Sequence, residues 1–323
     1  MKNKIKKLII KNYKQNDLFR ALVLKRLIAS RNNKCLPISI WIEPTNHCNI
    51  SCIYCVNEGI EEKGYMDPAT IKKIVDQLNV GEKRALIGLQ GIGESLLHKD
   101  ISRIVESIFN KKIAKIIHLS TNGTVLKDDT ENLNMLEQID DLRISIDAIG
   151  PDTYKNVKKA DHYLKVVNNI EKIINMRSRG LLKNMILRVK LTKTEHNKND
   201  AKAFGKQWNK ADIIEVDDTF NWGGQEDRKQ EDSGRYACPK PWYSLFIKWN
   251  GDISFCCLDY LKDSRLGNIH EDRIEKIWQS AKVKEVREKQ LQHRFDELEI
   301  CRNCTAWEKE PNIEACLRKN QKD

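Results

Sequence analysis

Six short apolar runs, separated by stretches of helical periodicity, constrain the fold of this chain more than any other feature. The runs are ISIWIE (38–43), RALIGLQ (84–90), AKIIHLST (114–121), DLRISIDA (141–148), NMILRVKLT (184–192) and DIIEVDD (212–218). Strands that alternate with helices form βαβ units and pair in parallel. Six units are too few to close an eightfold barrel. The sequence therefore predicts an α/β fold, with a partial (β/α)6 barrel over residues 36–225 that is open along one side.

The segments between and after these runs predict the helices and a smaller second unit. The stretches with apolar residues at helical spacing are DPATIKKIVDQL (67–78), DISRIVESIFNKK (100–112), NLNMLEQI (132–139) and YLKVVNNIEKIINMRSRG (163–180). Asp67 followed by Pro68 is a typical helix start. Residues 238–260 predict a β-hairpin with its turn at WNGD (249–252), and residues 273–291 predict a helix. These elements indicate a small C-terminal α+β domain over residues 226–323.

The first 34 residues carry most of the net charge. They hold eleven Lys and Arg against one acid, Asp17, which gives +10 of the formal +11. Residues 18–28, LFRALVLKRLI, are apolar at helical spacing, so residues 1–35 are interpreted as a basic amphipathic segment. Its apolar stripe either packs on the following domain or makes weak contact with anionic lipid or a polyanionic substrate. Nucleic acid is not an expected partner, because the sequence shows no aromatic-interleaved basic patch or DNA-binding motif.

Ten cysteines occur without an apolar run long enough to span a membrane and without the apolar core of a signal peptide. This pattern predicts a cytoplasmic protein, whose thiols serve metal binding or catalysis rather than disulfides. Cys48, Cys52 and Cys55 lie in HCNISCIYC. Their spacing fits neither a lone C-x-x-C nor paired zinc knuckles. Three ligands are also one short of a closed structural metal site.

Polar motifs follow four successive predicted strands. The cysteine motif comes after the first strand, GIGES (91–95) after the second, STNGT (120–124) at the end of the third, and SID (145–147) at the end of the fourth. Chemistry in parallel α/β folds lies at the carboxyl ends of the strands. The four motifs are therefore expected to face one rim of the barrel. Asn122, in the T-N-G turn, is interpreted as mainly structural.

The combination resembles the radical SAM superfamily: C-x-x-x-C-x-x-C with an aromatic residue, Tyr54, before the last cysteine, followed by a glycine-rich GE segment. The resemblance runs from about residue 36 onward. It implies that the three thiolates bind three irons of a [4Fe–4S] cluster and that the fourth iron takes S-adenosylmethionine (SAM). It also implies reductive cleavage of SAM, abstraction of a hydrogen atom from the substrate, and a flavodoxin- or ferredoxin-type electron donor.

The resemblance further assigns contacts with SAM to residues along the rim, and Tyr54 is one of these residues. Three residues match the family segment that receives the methionine amino group: Gly91, Gly93 and Glu94. This chain has Gly-Ile-Gly-Glu-Ser where Gly-Gly-Glu-Pro is commoner in the family. Ser145 and Asp147 match an S-x-D usually found near the methionine carboxylate or the ribose. Arg188, on the fifth strand, either pairs with the SAM carboxylate or is an exposed strand cation.

A second cysteine set lies in the C-terminal part and resembles the SPASM/twitch extension of radical SAM enzymes. Its first two members, Cys238 and Cys256, are separated by seventeen residues. The other two lie in CRNC (301–304). The shorter twitch form fits better, because the closing C-x5-C-x3-C run is missing. The resemblance implies one auxiliary [4Fe–4S] cluster with four protein ligands: Cys238, Cys256, Cys301 and Cys304. A zinc site with the same ligands is the alternative, and Cys35 and Cys316 are interpreted as ordinary thiols.

The twitch subclass includes a dehydrogenase of an aminocyclitol alcohol, and related proteins epimerise a sugar carbon. FNWGG (220–224) and the layout of the second cysteine set resemble that branch. The favoured hypothesis is therefore radical oxidation or epimerisation of a hydroxylated carbon in a sugar or cyclitol. Maturation of a ribosomally made peptide is the alternative enzyme reading. A non-catalytic metal-binding or electron-carrier protein is the third.

Cys257 is the residue that would separate the two favoured reactions. If Cys256 faces the auxiliary cluster from a strand, Cys257 faces the opposite way. Its weak S–H bond could then return a hydrogen atom in an epimerisation, which makes Cys257 a catalytic candidate. The alternative is a small buried residue of the C-terminal core.

Overall fold

The computed structural model describes residues 2–29, 35–79, 83–127, 129–219, 221–222, 234–260 and 264–320. The helices in these ranges are α1 (Lys2–Gln15), α2 (Asp17–Ile28), α3 (Pro68–Leu78), α4 (Ile101–Asn110), α5 (Thr130–Glu137), α6 (Pro151–Lys158), α7 (Tyr163–Ser178), α8 (Ala201–Gln207), α9 (Ile274–Trp278), α10 (Ala281–Leu291) and α11 (Glu314–Asn320). The strands are β1 (Ser39–Ile42), β2 (Arg84–Leu89), β3 (Ala114–Thr121), β4 (Asp141–Ser145), β5 (Ile186–Lys193), β6 (Ile213–Asp218), β7 (Ser244–Ile247), β8 (Asp252–Ser254) and β9 (Gly267–Asn268).

The strands of the described residues form one sheet in the order β6-β5-β4-β3-β2-β1-β7-β8-β9. Strands β1 to β6 lie side by side in chain order, and each pairs in parallel with the next. Their apolar residues pack with those of the connecting helices into one core. The α/β class and the partial barrel predicted from the six apolar runs are confirmed.

The C-terminal strands extend the same sheet. β7 pairs in parallel with β1, and β8 and β9 follow in antiparallel order. Gly251, in the turn between β7 and β8, has φ +85°, a conformation that glycine adopts without a steric cost. The predicted hairpin is therefore confirmed. Because β1 is hydrogen-bonded on both edges, the loop at its carboxyl end leaves from a fixed position. The predicted domain boundary at residues 225/226 lies outside the described residues.

One predicted helix was wrong, and α6, α8 and α11 were not anticipated. Residues 273–291 form α9 and α10 instead of one helix, because Ser280 accepts a hydrogen bond from the backbone N–H of Val283 and begins a new helix. α6 begins with Pro151 in its first turn and ends at Lys159, which has φ +51°. The end of this short helix contacts the loop that carries the first three cysteines.

α1 packs across the amino-terminal edge of the sheet, opposite the loops that carry the polar motifs. Ile10 is buried against Ile186 and Ile213, the first residues of β5 and β6. Lys6 pairs with Asp140, the residue before β4, at 2.5 Å. Part of the basic segment thus covers the base of the barrel.

α2 joins the base of the barrel to the C-terminal part of the chain. Leu24 and Ile28 are buried in a cluster with residues from both parts, including Ile38 and Leu317. Arg20 pairs with Glu310 at 2.7 Å. The apolar stripe of this segment therefore packs on the following domain, as one of the two interpretations expected. None of the described helices combines the length and apolarity needed to cross a membrane.

We predict that Leu24→Ala lowers the free energy of unfolding by about 2–4 kcal/mol, because the substitution opens a cavity in this cluster. Leu24 is 2% exposed, whereas Leu22, on the same helix, is 54% exposed. Leu22→Ala is the matched control and should change stability by less than about 0.5 kcal/mol. Anaerobic urea denaturation measures both variants. Equal losses would show that α2 is not anchored through Leu24.

Candidate functional site

The thiols of Cys48, Cys52 and Cys55 lie together on the loop after β1, and each is partly buried. Burial is the main cause that raises the pKa of each thiol, to about 12 for Cys55. The neighbouring thiols of Cys52 and Cys48 raise the pKa of Cys55 further, which shows that the three lie within electrostatic reach of one another. Buried neutral thiols become charged ligands only when a metal replaces their protons.

The backbone of this loop is held by the end of α6. The N–H of Ser51 donates to the carbonyl of Lys158 at 3.2 Å, and the N–H of Ile53 donates to the carbonyl of Val157 at 3.0 Å. The last carbonyls of a helix have no partner within the helix. Here the cysteine loop supplies those partners, so the position of α6 fixes the position of the thiols.

Asn122 supports the same loop from the end of β3. Its side-chain amide donates to Asn49 Oδ1 at 2.9 Å and lies 3.9 Å from Cys48 Sγ. Its Oδ1 accepts from the backbone N–H of Thr124 at 2.9 Å. The structural interpretation of Asn122 is confirmed, and its amide also contacts a thiol of the motif.

The glycines of GIGES allow the segment to pack directly on the chain that follows β1. A β-carbon on Gly91 would lie 2.1 Å from Glu43 Oε1, and one on Gly93 would lie 2.3 Å from the carbonyl oxygen of Thr45. Neither distance is sterically possible. These positions therefore need glycine for packing alone, whatever ligand the segment also binds.

Glu94 is buried between the second and third strand ends. One oxygen accepts from the N–H of Asn122 at 2.6 Å, and the other accepts from the hydroxyl of Thr121 at 2.8 Å and from the N–H of Leu96 at 3.1 Å. A carboxylate offers about four acceptor positions, so about one is left for a further donor. Burial raises the pKa of the Glu94 carboxyl, and the hydrogen bonds from these donors oppose that rise.

Asp147 is fully buried, and the polar groups around it occupy both of its oxygens. It has φ +56°. Oδ1 accepts from the N–H of Thr192 at 2.6 Å, while Oδ2 accepts from the hydroxyls of Tyr54 and Ser145 and pairs with Lys158. The interpretation of Asp147 as a direct SAM contact is not supported by this position. Asp147 instead orders Tyr54 and Ser145, which are only partly buried.

Arg188 lies deep in the barrel lumen. Its guanidinium pairs with Asp141 at 2.6 Å and with Glu215 at 3.0 Å, and its side chain is 1% exposed. Asp141 also accepts from His118 at 2.9 Å, and burial lowers the pKa of that imidazole to about 4. Arg188 is therefore neither an exposed cation nor available to the SAM carboxylate. It holds β4, β5 and β6 together.

Next to this buried network lies a layer of paired polar groups that is open to the lumen. Arg143 donates to Gln90 at 2.7 Å, and Lys190 pairs with Asp217 at 2.9 Å and with Glu215 at 3.5 Å. Alternate residues of a strand share a face, which places Arg143 one step above Asp141 on β4. The lumen is thus lined by donors and acceptors in close alternation.

Glu43, at the end of β1, was not identified from the sequence. Its carboxylate accepts from the N–H of Ile92 at 3.2 Å, from the hydroxyl of Tyr260 at 2.9 Å, and from the N–H of Trp249 at 3.4 Å. Burial raises its pKa to about 7. It links the GIGES segment to the C-terminal hairpin. The sequence signal that could have identified Glu43 is its position as a polar residue directly after an apolar strand.

The second cysteine set also comes together in space. Burial and then the neighbouring thiols of Cys304 and Cys238 raise the pKa of Cys301. Cys304 is also among the causes of the raised pKa of Cys256. Gln290 donates to the sulfur of Cys301 at 3.2 Å. The four thiols predicted to bind one auxiliary cluster are therefore electrostatic neighbours, and their role as its ligands stays a prediction.

Cys257 does not face away from this set. β8 ends at Ser254, so Cys256 and Cys257 lie in the turn beyond the strand, where alternation of faces no longer applies. A hydrogen bond with the thiol of Cys256 lowers the pKa of Cys257, and Lys240 lies close to both. The premise that Cys256 and Cys257 are neighbours on a strand was wrong. Its catalytic role stays a prediction.

The buried polar atoms around the first motif fit a sulfur-rich group. Tyr154, on α6, has a buried hydroxyl without a hydrogen-bond partner. Burial raises its pKa to about 12, and Cys52 and Cys48 add to the rise. In the described ranges no three His, Cys, Asp or Glu side chains are close enough to hold a single metal ion. An iron–sulfur cluster binds each thiolate through a different iron, and its sulfides would accept the unpaired hydroxyl.

Comparison with known families identifies both halves of the site. Residues 42–193 match the model of the Radical SAM superfamily, and residues 238–305 match that of SPASM, an iron–sulfur cluster-binding domain. This chain belongs to the radical SAM superfamily. The first match contains Cys48, Cys52 and Cys55, and the second contains the other four predicted ligands. The two domains imply a SAM-binding [4Fe–4S] cluster, an auxiliary iron–sulfur cluster and SAM itself.

Curated relatives that match part of this chain include GTP 3',8-cyclases. A probable one from Methanocaldococcus jannaschii is 34% identical over 146 residues, which are 43% of this chain and 46% of the relative. One from Clostridium botulinum is 26% identical over 151 residues, 45% of this chain and 46% of the relative. The radical SAM chain described here thus spans less than half the length of these relatives.

Solved radical SAM structures share the fold over more of the chain. BtrN in complex with AdoMet and 2-DOIA superposes with a TM-score of 0.58 at 22% identity, covering 84% of this chain and 93% of BtrN. SuiB from Streptococcus suis, bound to its precursor peptide SuiA, gives 0.58 at 15% identity over 76% of this chain and 65% of SuiB. Native anSMEcpe with bound AdoMet superposes with a TM-score of 0.60 at 14% identity, covering 88% of this chain and 95% of anSMEcpe. At these identities the likeness establishes the fold alone.

We predict that the anaerobically purified protein binds on the order of eight irons in two [4Fe–4S] clusters. Replacing Cys48, Cys52 and Cys55 together by Ala should leave about four irons and abolish SAM cleavage. Cys35→Ala is the matched control, because this thiol is exposed and belongs to neither set; it should keep full iron. Zinc without iron in the wild type, or full iron in the triple variant, would contradict the assignment.

We also predict that Glu43 makes the fold less stable as pH rises. The pKa of this carboxyl in the folded protein, about 7, is above its ordinary value of 4.5. The protonated form is therefore favoured by folding, and its stabilising contribution is complete below about pH 4.5 and lost as pH rises through about 7. Calorimetry at about pH 5 and about pH 8 should show a smaller drop in Tm for Glu43→Gln than for the wild type. Glu61→Gln, at an exposed position, should behave as the wild type; identical drops in all three proteins would refute the prediction.

Proposed function

We propose that this protein cleaves SAM reductively and abstracts a hydrogen atom from a hydroxylated carbon of a sugar or aminocyclitol, which it oxidises or epimerises. The observation that carries the proposal is the paired polar layer of the lumen, defined by Gln90, Arg143, Lys190, Glu215 and Asp217. The carboxyl ends of barrel strands are where substrates of such folds bind. The chemistry of this layer therefore indicates the chemistry of the substrate.

The layer is accessible, in contrast to the network beneath it. The side chain of Arg143 is 21% exposed, that of Lys190 is 14% exposed and that of Asp217 is 33% exposed. A sugar or cyclitol hydroxyl is both a donor and an acceptor. A ring with several hydroxyls and an amine can replace water at such a lining without leaving a buried polar group unpaired.

The same layer disfavours a nucleoside triphosphate. Arg143 and Lys190 both contact carboxylates of β6, at 3.6 Å and 2.9 Å for the closest pairs. These carboxylates offset the positive charge that a triphosphate would need. We therefore do not propose GTP 3',8-cyclase activity for this chain.

The fold comparisons support a small substrate and keep one alternative. BtrN, which resembles this chain over most of both lengths, was solved with AdoMet and 2-DOIA. SuiB was solved with a precursor peptide, and this favours maturation of a ribosomally made peptide as the second candidate function. A peptide backbone presents fewer hydroxyls to a lining of this kind, so the sugar or aminocyclitol is preferred.

The chain's own residues hold the reactants in place in this proposal. When bound, the [4Fe–4S] cluster of the first motif supplies the electron that cleaves SAM. Glu94 accepts one N–H of the methionine amino group through its remaining acceptor position. Tyr54 and Ser145, oriented by Asp147, border the SAM site. Arg143 and Lys190 orient the hydroxyls of the substrate below it.

Two partner assignments accompany the proposal. A flavodoxin- or ferredoxin-type protein is the electron donor. The outer face of α1 and α2 contacts an anionic membrane surface weakly, because it exposes apolar and basic side chains together: Leu8, Lys11, Leu18, Leu22, Lys25 and Arg26. Charge complementarity and buried apolar area are the terms that drive such contact.

The test is anaerobic incubation of the reconstituted protein with SAM, reductant and a panel of aminocyclitols, nucleotide sugars, candidate peptides and GTP. We expect an aminocyclitol or sugar to stimulate formation of 5′-deoxyadenosine and to give a product that has lost two hydrogens or inverted one centre. Lys190→Met should raise KM for that substrate by about tenfold, since it removes a charged hydrogen-bond donor. Stimulation by a peptide alone, or by GTP alone, would overturn the proposal.

A further inference from the structure

A chain of hydrogen bonds runs from the buried base of the lumen to the paired polar layer above it. Asp141 Oδ2 lies 2.9 Å from His118 Nδ1, and His118 Nε2 lies 2.9 Å from the hydroxyl oxygen of Ser120. That oxygen lies 3.0 Å from Oε1 of Gln90. His118 is 3% exposed, whereas Ser120 is only partly buried. The chain thus begins at a buried carboxylate and ends in the layer where we place the substrate.

Asp141 fixes the tautomer of His118. Arg188 donates to the two carboxylate oxygens of Asp141 at 2.6 Å and 3.3 Å, which stabilises the ionised form. An ionised carboxylate accepts hydrogen bonds and donates none, so the hydrogen between it and His118 belongs to Nδ1. Burial lowers the pKa of the imidazole to about 4, and Nε2 therefore carries no hydrogen at neutral pH. Neutral His118 presents an acceptor to Ser120.

Gln90 presents a second acceptor to the same hydroxyl. Arg143 donates to Oε1 of Gln90 at 2.7 Å, so the amide has its oxygen toward both Arg143 and Ser120. A serine hydroxyl has one hydrogen, which bonds either to Gln90 or to Nε2 of His118. With neutral His118, one of the two contacts of Ser120 therefore joins two acceptors without a hydrogen between them.

One added proton completes every link of this chain. On a protonated His118, Nδ1 donates to Asp141 and Nε2 donates to Ser120. The hydrogen of Ser120 is then free to bond to Gln90. The positive charge formed on the imidazole lies against the carboxylate of Asp141, 2.9 Å away. The geometry therefore matches a proton acceptor that is empty at rest.

Burial and two cations keep His118 neutral at rest. Burial is the main cause that lowers its pKa, and Arg143 of β4 and Arg188 of β5 lower it further. Asp141 acts in the opposite direction, and Trp41 of β1 contributes an uncharged ring with its centroid 5.6 Å away. A neutral base that gains a complete set of hydrogen bonds on protonation is suited to accept a proton transiently.

We propose that Ser120 and His118 form a proton relay for oxidation of the substrate, in which Ser120 is a catalytic residue that contacts the reacting hydroxyl and His118 accepts the proton. The inference rests on the proposed function and selects its oxidising form. After the substrate carbon has lost a hydrogen atom, its hydroxyl gives a proton to the oxygen of Ser120, while the hydrogen of Ser120 passes to Nε2 of His118. The remaining electron goes to an oxidised iron–sulfur centre as acceptor, and the carbon–oxygen bond becomes a carbonyl.

The first test needs no substrate. The anaerobically purified holoprotein is labelled with ¹⁵N in its histidine side chains, and subtraction of the spectrum of His118→Gln assigns the ring nitrogens of His118. At about pH 7 we expect a neutral imidazole with its hydrogen on Nδ1. An imidazolium, or a hydrogen on Nε2, would overturn the relay whatever the substrate is.

The second test compares the amounts of 5′-deoxyadenosine and of oxidised product, using the sugar or aminocyclitol that the wild type turns over. We expect equal amounts for the wild type. Ser120→Ala should still abstract the hydrogen atom but form oxidised product about a hundredfold more slowly at about pH 7, since it lacks the relay. Its product formation should rise between about pH 7 and pH 9, because hydroxide replaces the missing base, while that of the wild type stays level.

Two further variants separate the relay from a role in packing. Ser120→Thr keeps the hydroxyl and should restore equal amounts of the two products. Ser178→Ala is the matched control, because Ser178 is exposed, and it should behave as the wild type. Equal amounts and a level pH profile in Ser120→Ala would overturn the relay and leave Ser120 as part of the fold.

The outcomes also distinguish the relay from the proposed function. An inverted product that is not oxidised would overturn the relay and leave the proposed function in its epimerising form. If no sugar or aminocyclitol stimulates 5′-deoxyadenosine formation, the proposed function fails, and the relay is overturned with it even where the ¹⁵N spectrum is as expected.

Discussion

The two hydrogen bonds from the cysteine loop to the end of α6 are the contacts on which the site depends. The loop itself has little regular structure, so its thiols have no fixed direction unless other elements hold its backbone. Ser51 and Ile53 bind the last carbonyls of α6, and Glu94 N–H binds the carbonyl of His47 at 2.8 Å. The strand before the loop is paired on both edges. The backbone of the cysteine loop is thereby held on both sides, and the three thiols with it.

The interior of the barrel is polar for a related reason. A partial barrel leaves its lumen open to a substrate, and apolar residues there would be exposed whenever the substrate is absent. The chain instead fills the base with the Asp141–Arg188–Glu215 network and lines the open part with Arg143 and Lys190. The base fixes the spacing of the strands, and the open layer is left to select the substrate.

The sequence was sufficient for the strands, the cysteine sets and the C-terminal hairpin, because apolar runs, cysteine spacing and the NGD turn are local patterns. It was insufficient for α6, whose sequence PDTYKNVK has no long apolar stripe and whose identity as a helix comes from its tertiary partners. Lys158 carried no signal for the same reason: its partners, Asp147 and Tyr54, come from the turn after β4 and the loop after β1. Arg188 was correctly placed on its strand, and Asp147 lies just after β4, yet the partners that occupy both side chains come from other strands, a loop and α6, which the sequence pattern does not show.

The central claim is that the first cysteine set leaves one iron open to SAM while the second set closes its cluster. EPR of the reduced protein, recorded with and without SAM, tests this most directly, because a ligand that binds an iron changes the signal of that cluster. We expect two [4Fe–4S] signals, of which SAM changes one and leaves the other unchanged. Two signals that both ignore SAM would contradict it, as would two that both respond.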